Sequence, residues 1–346
     1  MLEKKRILWI DYTKTICIYF VLLGHAHTTQ PLTDFIYAFH MPLFFFLSGT
    51  LFSFEKHPTF KEFALKRFKR IIVPYLWINL ITYIFWLFVG RNFGMDSSHE
   101  TVWYDSLLST LLGIGKIEHN PPMWFFLCLY TLEIIYYIIF KPLKNNARKT
   151  IIVLFVIACL GYINYRFNPF PLPFYLGPAL VGMVFYGIGN VAAHHIKEFY
   201  TIKPVHIVIL LFSFLILLFV SQKNGYVIMS DNNYQNYLLF FVSSLAGIGT
   251  FVIIGNWLSI KPFSKKFITY VSQNTLLINS FHLLVFSILK GIMVFVLHIP
   301  LESLYGHNAT AILFAAVSLV LCLPVAYIIN RYFPFIVGKK KSPLRG

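Results

Sequence analysis

The chain reads as an all-α, polytopic integral membrane bundle of about ten transmembrane helices with both termini in the cytoplasm, and three observations lead there. Of its 346 residues 58% are hydrophobic and 12% charged, and the mean hydropathy of +0.69 exceeds what a water-soluble core of this length buries. The apolar runs lack the alternation of barrel strands, and backbone groups in lipid must be satisfied within their own segment, so the spans are helices. The third observation is where the positive charge falls.

At about 17 to 25 apolar residues per crossing, spans lie at 7–25, 33–54, 71–89, 122–140, 150–163, 173–193, 205–220, 234–258, 275–297 and 309–329. With these boundaries 23 of the 29 Lys and Arg lie on the side of the termini and 4 on the other, while Lys14 and Lys290 fall inside helices. Cytoplasmic loops carry the excess of positive charge, which orients the chain. The net charge of +16 is therefore a topological signal; the expected partner is the lipid bilayer and no nucleic acid.

The first apolar run has a basic flank like a signal peptide, but it carries Asp11 and Lys14 and has no small-residue cleavage site, so it is expected to remain as the first helix. Cys17, Cys128, Cys159 and Cys322 lie in apolar spans without metal-type spacing and read as small packing residues. The loop 90–121 carries Trp103, Leu107, Leu108, Leu111 and Leu112 at helical spacing, a short helix on the membrane surface. Gly177, Gly182, Gly187 and Gly189 in the sixth span, and Gly247 and Gly249 in the eighth, mark close helix contacts. No Walker loop, dinucleotide fingerprint or H-E-x-x-H occurs, so neither ATP hydrolysis nor a metal is expected. No repeat or long linker divides the chain, and residues 1–346 are expected to form one membrane domain.

Ionisable side chains inside the membrane cost roughly 2.5–3.5 kcal/mol each on insertion scales and mark functional sites by default. Here they are Asp11, Lys14, His25, His40, Glu133, His282 and Lys290. Asp11 and Lys14, at i,i+3, pair on one helix face. Lys14 and His25 are eleven residues apart, close to three turns, so they share a face about 16 Å apart with His25 at the outer end. That is either a polar path through the bundle or a structural ion pair with an interfacial anchor above it. Pro42, just after His40, frees a backbone carbonyl one turn earlier, and His40 or Ser48 is placed to satisfy it in a kink lining a cavity. Glu133 pairs with a lysine or histidine across the bundle, and Lys290 snorkels outward. Lys61, Lys66, Arg67, Lys69 and Arg70 precede the third span, where such clusters report topology, anionic lipid or phosphate binding.

Several of these segments carry a resemblance. Asp11-Tyr12-Thr13-Lys14 with Val21-Leu22-Leu23-Gly24-His25, and Phe39-His40-Met41-Pro42-Leu43-Phe44-Phe45-Phe46-Leu47-Ser48-Gly49, resemble the membrane acyltransferase 3 family. The similarity is greatest to its fucose 4-O-acetylase-like or NolL-like O-acetyltransferase branch. Lys66-Arg67-Phe68-Lys69-Arg70, Met123-Trp124-Phe125-Phe126-Leu127 and Ser272-Gln273-Asn274-Thr275 with Phe281-His282 extend the match along the chain. The resemblance implies ten helices and transfer of an acyl group, usually acetyl, from cytoplasmic acyl-CoA to a sugar hydroxyl of a surface or exported glycan. It also implies a catalytic His25 and a CoA site at Lys66, Arg67 and Arg70. The family usually has Arg where this chain has Lys14 and Lys66.

Acyl transfer to a hydroxyl requires a base, a donor for the developing oxyanion and a path joining thioester to alcohol. The expected catalytic set is His25 as base, or as a transiently acylated nucleophile, with Lys14 and Asp11 ordering the path below it. His40, Ser48, Trp124, Glu133 and His282 are the substrate or oxyanion candidates. No cofactor is expected to be bound; acetyl-CoA or another acyl-CoA is a co-substrate, and a glycan or lipid-linked sugar the acceptor, in company with polysaccharide-assembly proteins at the cell's inner membrane. The competing readings are a transporter or flippase for lipid-linked sugars and a non-catalytic part of a polysaccharide assembly, the first disfavoured by the absence of an inverted repeat.

Overall fold

A computed structural model describes residues 6–92, 102–144, 146–196, 203–260 and 263–339. Among the described residues the regular structure is helical, apart from one isolated bridge between Ile228 and Asn233. The helices are α1 (Leu8–Gly24), α2 (Gln30–Tyr37), α3 (His40–Leu51), α4 (Phe60–Arg67), α5 (Val73–Phe88), α6 (Asp105–Leu112), α7 (Trp124–Phe140), α8 (Ala147–Phe167), α9 (Leu176–Ile196), α10 (Pro204–Asn224), α11 (Tyr237–Ile260), α12 (Lys265–Gln273), α13 (Thr275–Phe295) and α14 (Asn308–Tyr332).

Among the described residues nine helical segments are long and apolar enough to cross a bilayer: Gln30–Leu51, Phe60–Asn92, Pro121–Leu143, Ala147–Phe167, Pro173–Ala193, Pro204–Asn224, Tyr237–Ile260, Thr275–Phe295 and Asn308–Tyr332. They match the second to tenth predicted spans. α1 has 17 residues and is about 26 Å long, close to the roughly 30 Å of a hydrocarbon core. The outward faces are apolar: Phe155 on α8, Phe212 on α10 and Leu313 on α14 are all exposed, as a lipid solvent allows and water does not. The chain is a polytopic membrane bundle.

α1 packs against α3, α11, α12, α13 and α14, so the first helix in sequence is central in space. Its N-terminal end is tied to the corner between α12 and α13. Arg6 forms an ion pair with Asp11, and Ser272 Oγ donates to Asp11 Oδ1 at 2.6 Å. The other end of the chain reaches the same corner, where Asn330 Nδ2 donates to Asn274 Oδ1 at 2.8 Å and Lys339 Nζ to Asn330 Oδ1 at 2.6 Å. Both ends of the described chain therefore lie at one face of the bundle, called here the terminal face. The Asp11–Lys14 pairing expected from the sequence is not formed: Asp11 is held by Arg6, a residue before the helix that periodicity within it does not reveal.

The second span is broken rather than kinked, into α2 and α3, at Ala38 and Phe39. Pro42 has no N–H for the carbonyl of Ala38, and Ser244 Oγ on α11 donates to that oxygen at 2.7 Å. Neither residue expected to take it does so. His40 Nδ1 bonds to Ile36 O at 2.8 Å and Ser48 Oγ to Phe44 O at 2.8 Å, each within its own span.

The third span starts earlier than its hydropathy indicates. Residues Phe60–Asn92 form one helical segment of 33 residues, about 50 Å long, with a five-residue π turn at Phe68–Ile72. Its first two turns project beyond the apolar core, leaving Lys66 and Arg70 exposed while Arg67 turns inward. Arg67 forms a bidentate ion pair with Glu133 on α7, which is fully buried, and Tyr186 OH donates to Glu133 Oε1 at 3.4 Å. Glu133 thus takes an arginine, not the lysine or histidine expected.

α3 and α9 approach most closely at glycines. A Cβ on Gly49 would sit 1.8 Å from Tyr186 O, and one on Gly189 would sit 2.1 Å from Phe46 O, the close backbone approach small residues permit in membranes. Gly249 carries no such contact, its nearest neighbour being Ser213 Cβ at 3.9 Å. On the face opposite the termini, α6 has the predicted position and an inverted amphipathicity: Ser106 and Thr110 are buried while Leu108, Leu111 and Leu112 are exposed. Residues 93–101 of that loop lie outside the described residues. Ser106 anchors the loop, its Oγ 2.7 Å from His119 Nδ1, and His119 Nε2 donates to Asn79 Oδ1 at 3.0 Å on α5. Asn120 Nδ2 donates to Ser280 O on α13 at 2.9 Å.

Removing Glu133 alone, as Glu133→Leu, leaves an uncompensated inward guanidinium and is expected to cost about 3–5 kcal/mol. The double variant Arg67→Leu/Glu133→Leu regains most of that loss when melting is followed in lipid nanodiscs; equal instability of single and double variants contradicts the pairing. Burial pushes the His119 imidazole down to about 4, from about 6.5 in the unfolded chain. Its contribution is present above the unfolded value and lost as pH falls towards the folded one. The melting temperature of the wild type is therefore expected to drop more between pH 7 and 5 than that of His119→Gln; parallel drops refute it.

Candidate active site

α1 ends at Gly24, and His25 is its C-cap residue, with φ −94° and ψ 1° and its N–H bonded back to Leu22 O and Val21 O. The helix supplies a rigid support, and its end sets the imidazole where α1, α3 and α13 converge. The His25 ring centroid is 5.2 Å from that of His282 on α13 and 6.4 Å from Tyr37 at the end of α2. His40, first residue of α3, is brought in by the break in the second span, its ring 4.9 Å from Tyr37.

The backbone fixes the chemistry of two of these three histidines. His40 Nδ1 lies 2.8 Å from Ile36 O, and His282 Nδ1 lies 2.8 Å from Asn279 O. A carbonyl only accepts, so in both rings Nδ1 carries the hydrogen and Nε2 the lone pair. His282 Nε2 is buried without a hydrogen-bond partner. His25 is different: its ring makes no hydrogen bond among the described residues, and it lines two cavities at once.

The larger cavity, about 440 Å³, is bounded by His25, His40, Tyr37, Trp124, Tyr175 and Asn279 among others. The second, about 230 Å³, has His25, His27, His119, Asn120 and Lys290 in its wall. His25 thus borders both chambers on the face opposite the termini, as do Lys116 and Pro121. Lys290 does not run free to the surface: its Nζ lies 3.2 Å from His27 Nε2 and 5.1 Å from the Tyr305 ring centroid. Among the described residues no group of three or more His, Cys, Asp or Glu is arranged to hold a metal ion.

Of the residues singled out from the sequence, the fold collects His25, His40, His282 and Trp124 in one place. Ser48 lines neither cavity and is spent within its own helix. Asp11, Lys14, Arg67 and Glu133 stand nearer the terminal face. Asp11 and Glu133 are occupied by arginines, and Lys14 is part-buried in the electrostatic reach of Asp11, Arg6 and Arg67. None of the four is among the residues lining the two cavities at His25.

Sequence reading missed Tyr37, Asn279, Tyr226 and the loop residues Lys116, His119 and Asn120. Asn279 had a signal, lying one turn before His282 on the same helix face. The loop residues had none, because loops carry no period.

The chain matches the family model described as an acyltransferase domain over residues 7–331. No curated protein and no solved structure matches it. The matched region contains α1, the broken second span and the three histidines, and the chain belongs to this family of membrane acyltransferases.

Proposed function

We propose that this acyltransferase is an O-acetyltransferase that takes its acyl group from acyl-CoA at the terminal face and places it on a sugar hydroxyl of a surface or exported glycan at the opposite face. The observation that carries this reading is the position of His25, which borders two chambers and whose ring makes no hydrogen bond among the described residues. The 23 to 4 asymmetry of basic residues supports placing the terminal face in the cytoplasm, with the inner (plasma) membrane as the proposed location.

In this mechanism the acceptor hydroxyl loses its proton to His25 as its oxygen attacks the thioester carbonyl carbon. The tetrahedral intermediate collapses with breakage of the carbon–sulfur bond, and the departing sulfur takes the proton from the imidazolium, giving the sugar ester and free CoA. His282, its ring centroid 5.2 Å from that of His25 and its Nε2 without a hydrogen-bond partner, is the group this reading assigns to accept the second N–H of the transient imidazolium. The Asn279 side chain and Trp124 shape the chamber in which the sugar sits. Lys66 and Arg70, exposed in the last turn of α4 and in the π turn, are the residues this reading assigns to CoA phosphates, with Arg67 held by Glu133 beside them.

With full-length chain in lipid nanodiscs, acetyl-CoA and glycan acceptor, His25→Gln is expected to reduce CoA release about 10²- to 10⁴-fold, the usual worth of a general base. His282→Gln is expected to lower kcat while leaving the KM for acetyl-CoA unchanged and to move the acidic limb of the pH–rate profile, a displacement that a purely structural residue does not cause. Undiminished turnover of His25→Gln contradicts the assignment. A stable acyl group found on His25 by mass spectrometry replaces direct transfer with a relay.

A further inference from the structure

The chamber at His25 continues sideways. Gly115, Lys116, Tyr175, Ser230 and Asp231 line both it and a neighbouring cavity of about 460 Å³, so the two form one groove along the face opposite the termini. Each part alone falls within the about 300–1,000 Å³ of a small-molecule site; in series they exceed what one sugar needs.

The neighbouring cavity has its own chemistry. Four amides, Asn164, Asn168, Asn232 and Asn233, lie in its wall, and Phe170, 76% exposed between two prolines, stands at its edge. Part of the amide set is used internally. Asn168 Nδ2 donates to Asn164 Oδ1 at 3.0 Å, Asn232 Oδ1 accepts from Tyr234 OH at 3.1 Å, and Asn233 Oδ1 accepts from the Gln235 N–H at 3.2 Å. These bonds hold the oxygens and leave the side-chain NH₂ groups of Asn164, Asn232 and Asn233 without a protein acceptor among the described residues. The carboxylate of Asp231, exposed where the two cavities join, adds an acceptor.

Fixed planar donors beside a carboxylate match the adjacent hydroxyls of a pyranose, each both donor and acceptor, and a flat ring covers the C–H face of the same sugar. An acyl chain in this place would strand every one of those polar groups. Two residues of the wall, Tyr175 and Asn232, have φ of 52° and 58°, the left-handed region that non-glycine residues seldom enter.

We infer that the groove binds the sugars neighbouring the one that is acylated, so that the acceptor is an oligosaccharide chain and not a monosaccharide. This rests on the transfer to a glycan hydroxyl proposed above. Asn164, Asn233 and Phe170 are binding residues that select acceptor length, remote from His25.

The test uses full-length chain in lipid nanodiscs with acetyl-CoA and fragments of one, three and five sugars, obtained by partial hydrolysis of the producing cell's surface polysaccharide, with ester product read by mass spectrometry. The three-sugar fragment is expected to have kcat/KM about tenfold above the single sugar, and Phe170→Ala and Asn233→Asp each to cut that ratio about threefold or more. Asn233→Asp keeps the oxygen that accepts from Gln235, and both variants are to match the wild-type melting temperature. Equal kcat/KM for one and three sugars, or a length preference untouched by both variants, overturns the groove while leaving the transfer chemistry standing. Ester on no fragment overturns both.

Discussion

A polar group in hydrocarbon is costly unless protein satisfies it, and that constraint arranges this bundle. Near the terminal face it produces two closed sets, Arg6 with Asp11 and Ser272, and Arg67 with Glu133 and Tyr186. Each joins helices distant in sequence, and each leaves its carboxylate fully occupied. Such pairs hold a fold together and are poorly suited to chemistry, because moving a proton or a ligand through them means breaking the assembly. At the opposite end the same constraint is met for His40, whose Nδ1 is tied to a carbonyl, and deliberately not met for His25, whose ring has chambers instead of partners.

The reactive geometry follows from two helix ends. α1 runs through the centre of the bundle and stops at Gly24, so His25 is held by a rigid element and yet freed from helical packing. Pro42 breaks the second span, which turns His40 and Tyr37 towards the same point, and Ser244 repairs the carbonyl that the break exposes. Without the break, α2 would continue the line of α3 and the larger chamber would lose its wall. α13 completes the arrangement with His282 and Asn279, one helical turn apart.

The fold was legible in the sequence because bilayer thickness and basic-residue placement are constraints that act on each segment separately. Span positions agree closely, and both ends of the described chain do meet at one face. The exceptions are instructive. The third span is longer than its apolar stretch, because a helix needs no apolar side chains once it has left the membrane, and Lys66 and Arg70 lie on that extension. Asp11 and Glu133 found arginines that no local spacing indicates: Arg6 precedes its helix and Arg67 is 66 residues from its partner in sequence. At the site, His25, His40 and His282 were visible as ionisable residues out of place in lipid, and Trp124 through the family resemblance. Lys116, His119 and the amides of the far loops were not, since polar residues in loops are ordinary until the fold brings them to one groove.

Anchoring charge at one face and the His25 chambers at the other give the molecule a direction, and the proposed function makes His25 the point where an acyl group reaches its acceptor. The most direct measurement is the NMR spectrum of surface glycan from cells that make the wild-type chain, no chain, or His25→Gln at equal membrane level. The account predicts acetyl-ester signals with the wild type that are absent from the other two and removed by mild base. Persistence of those signals in cells carrying His25→Gln would contradict it.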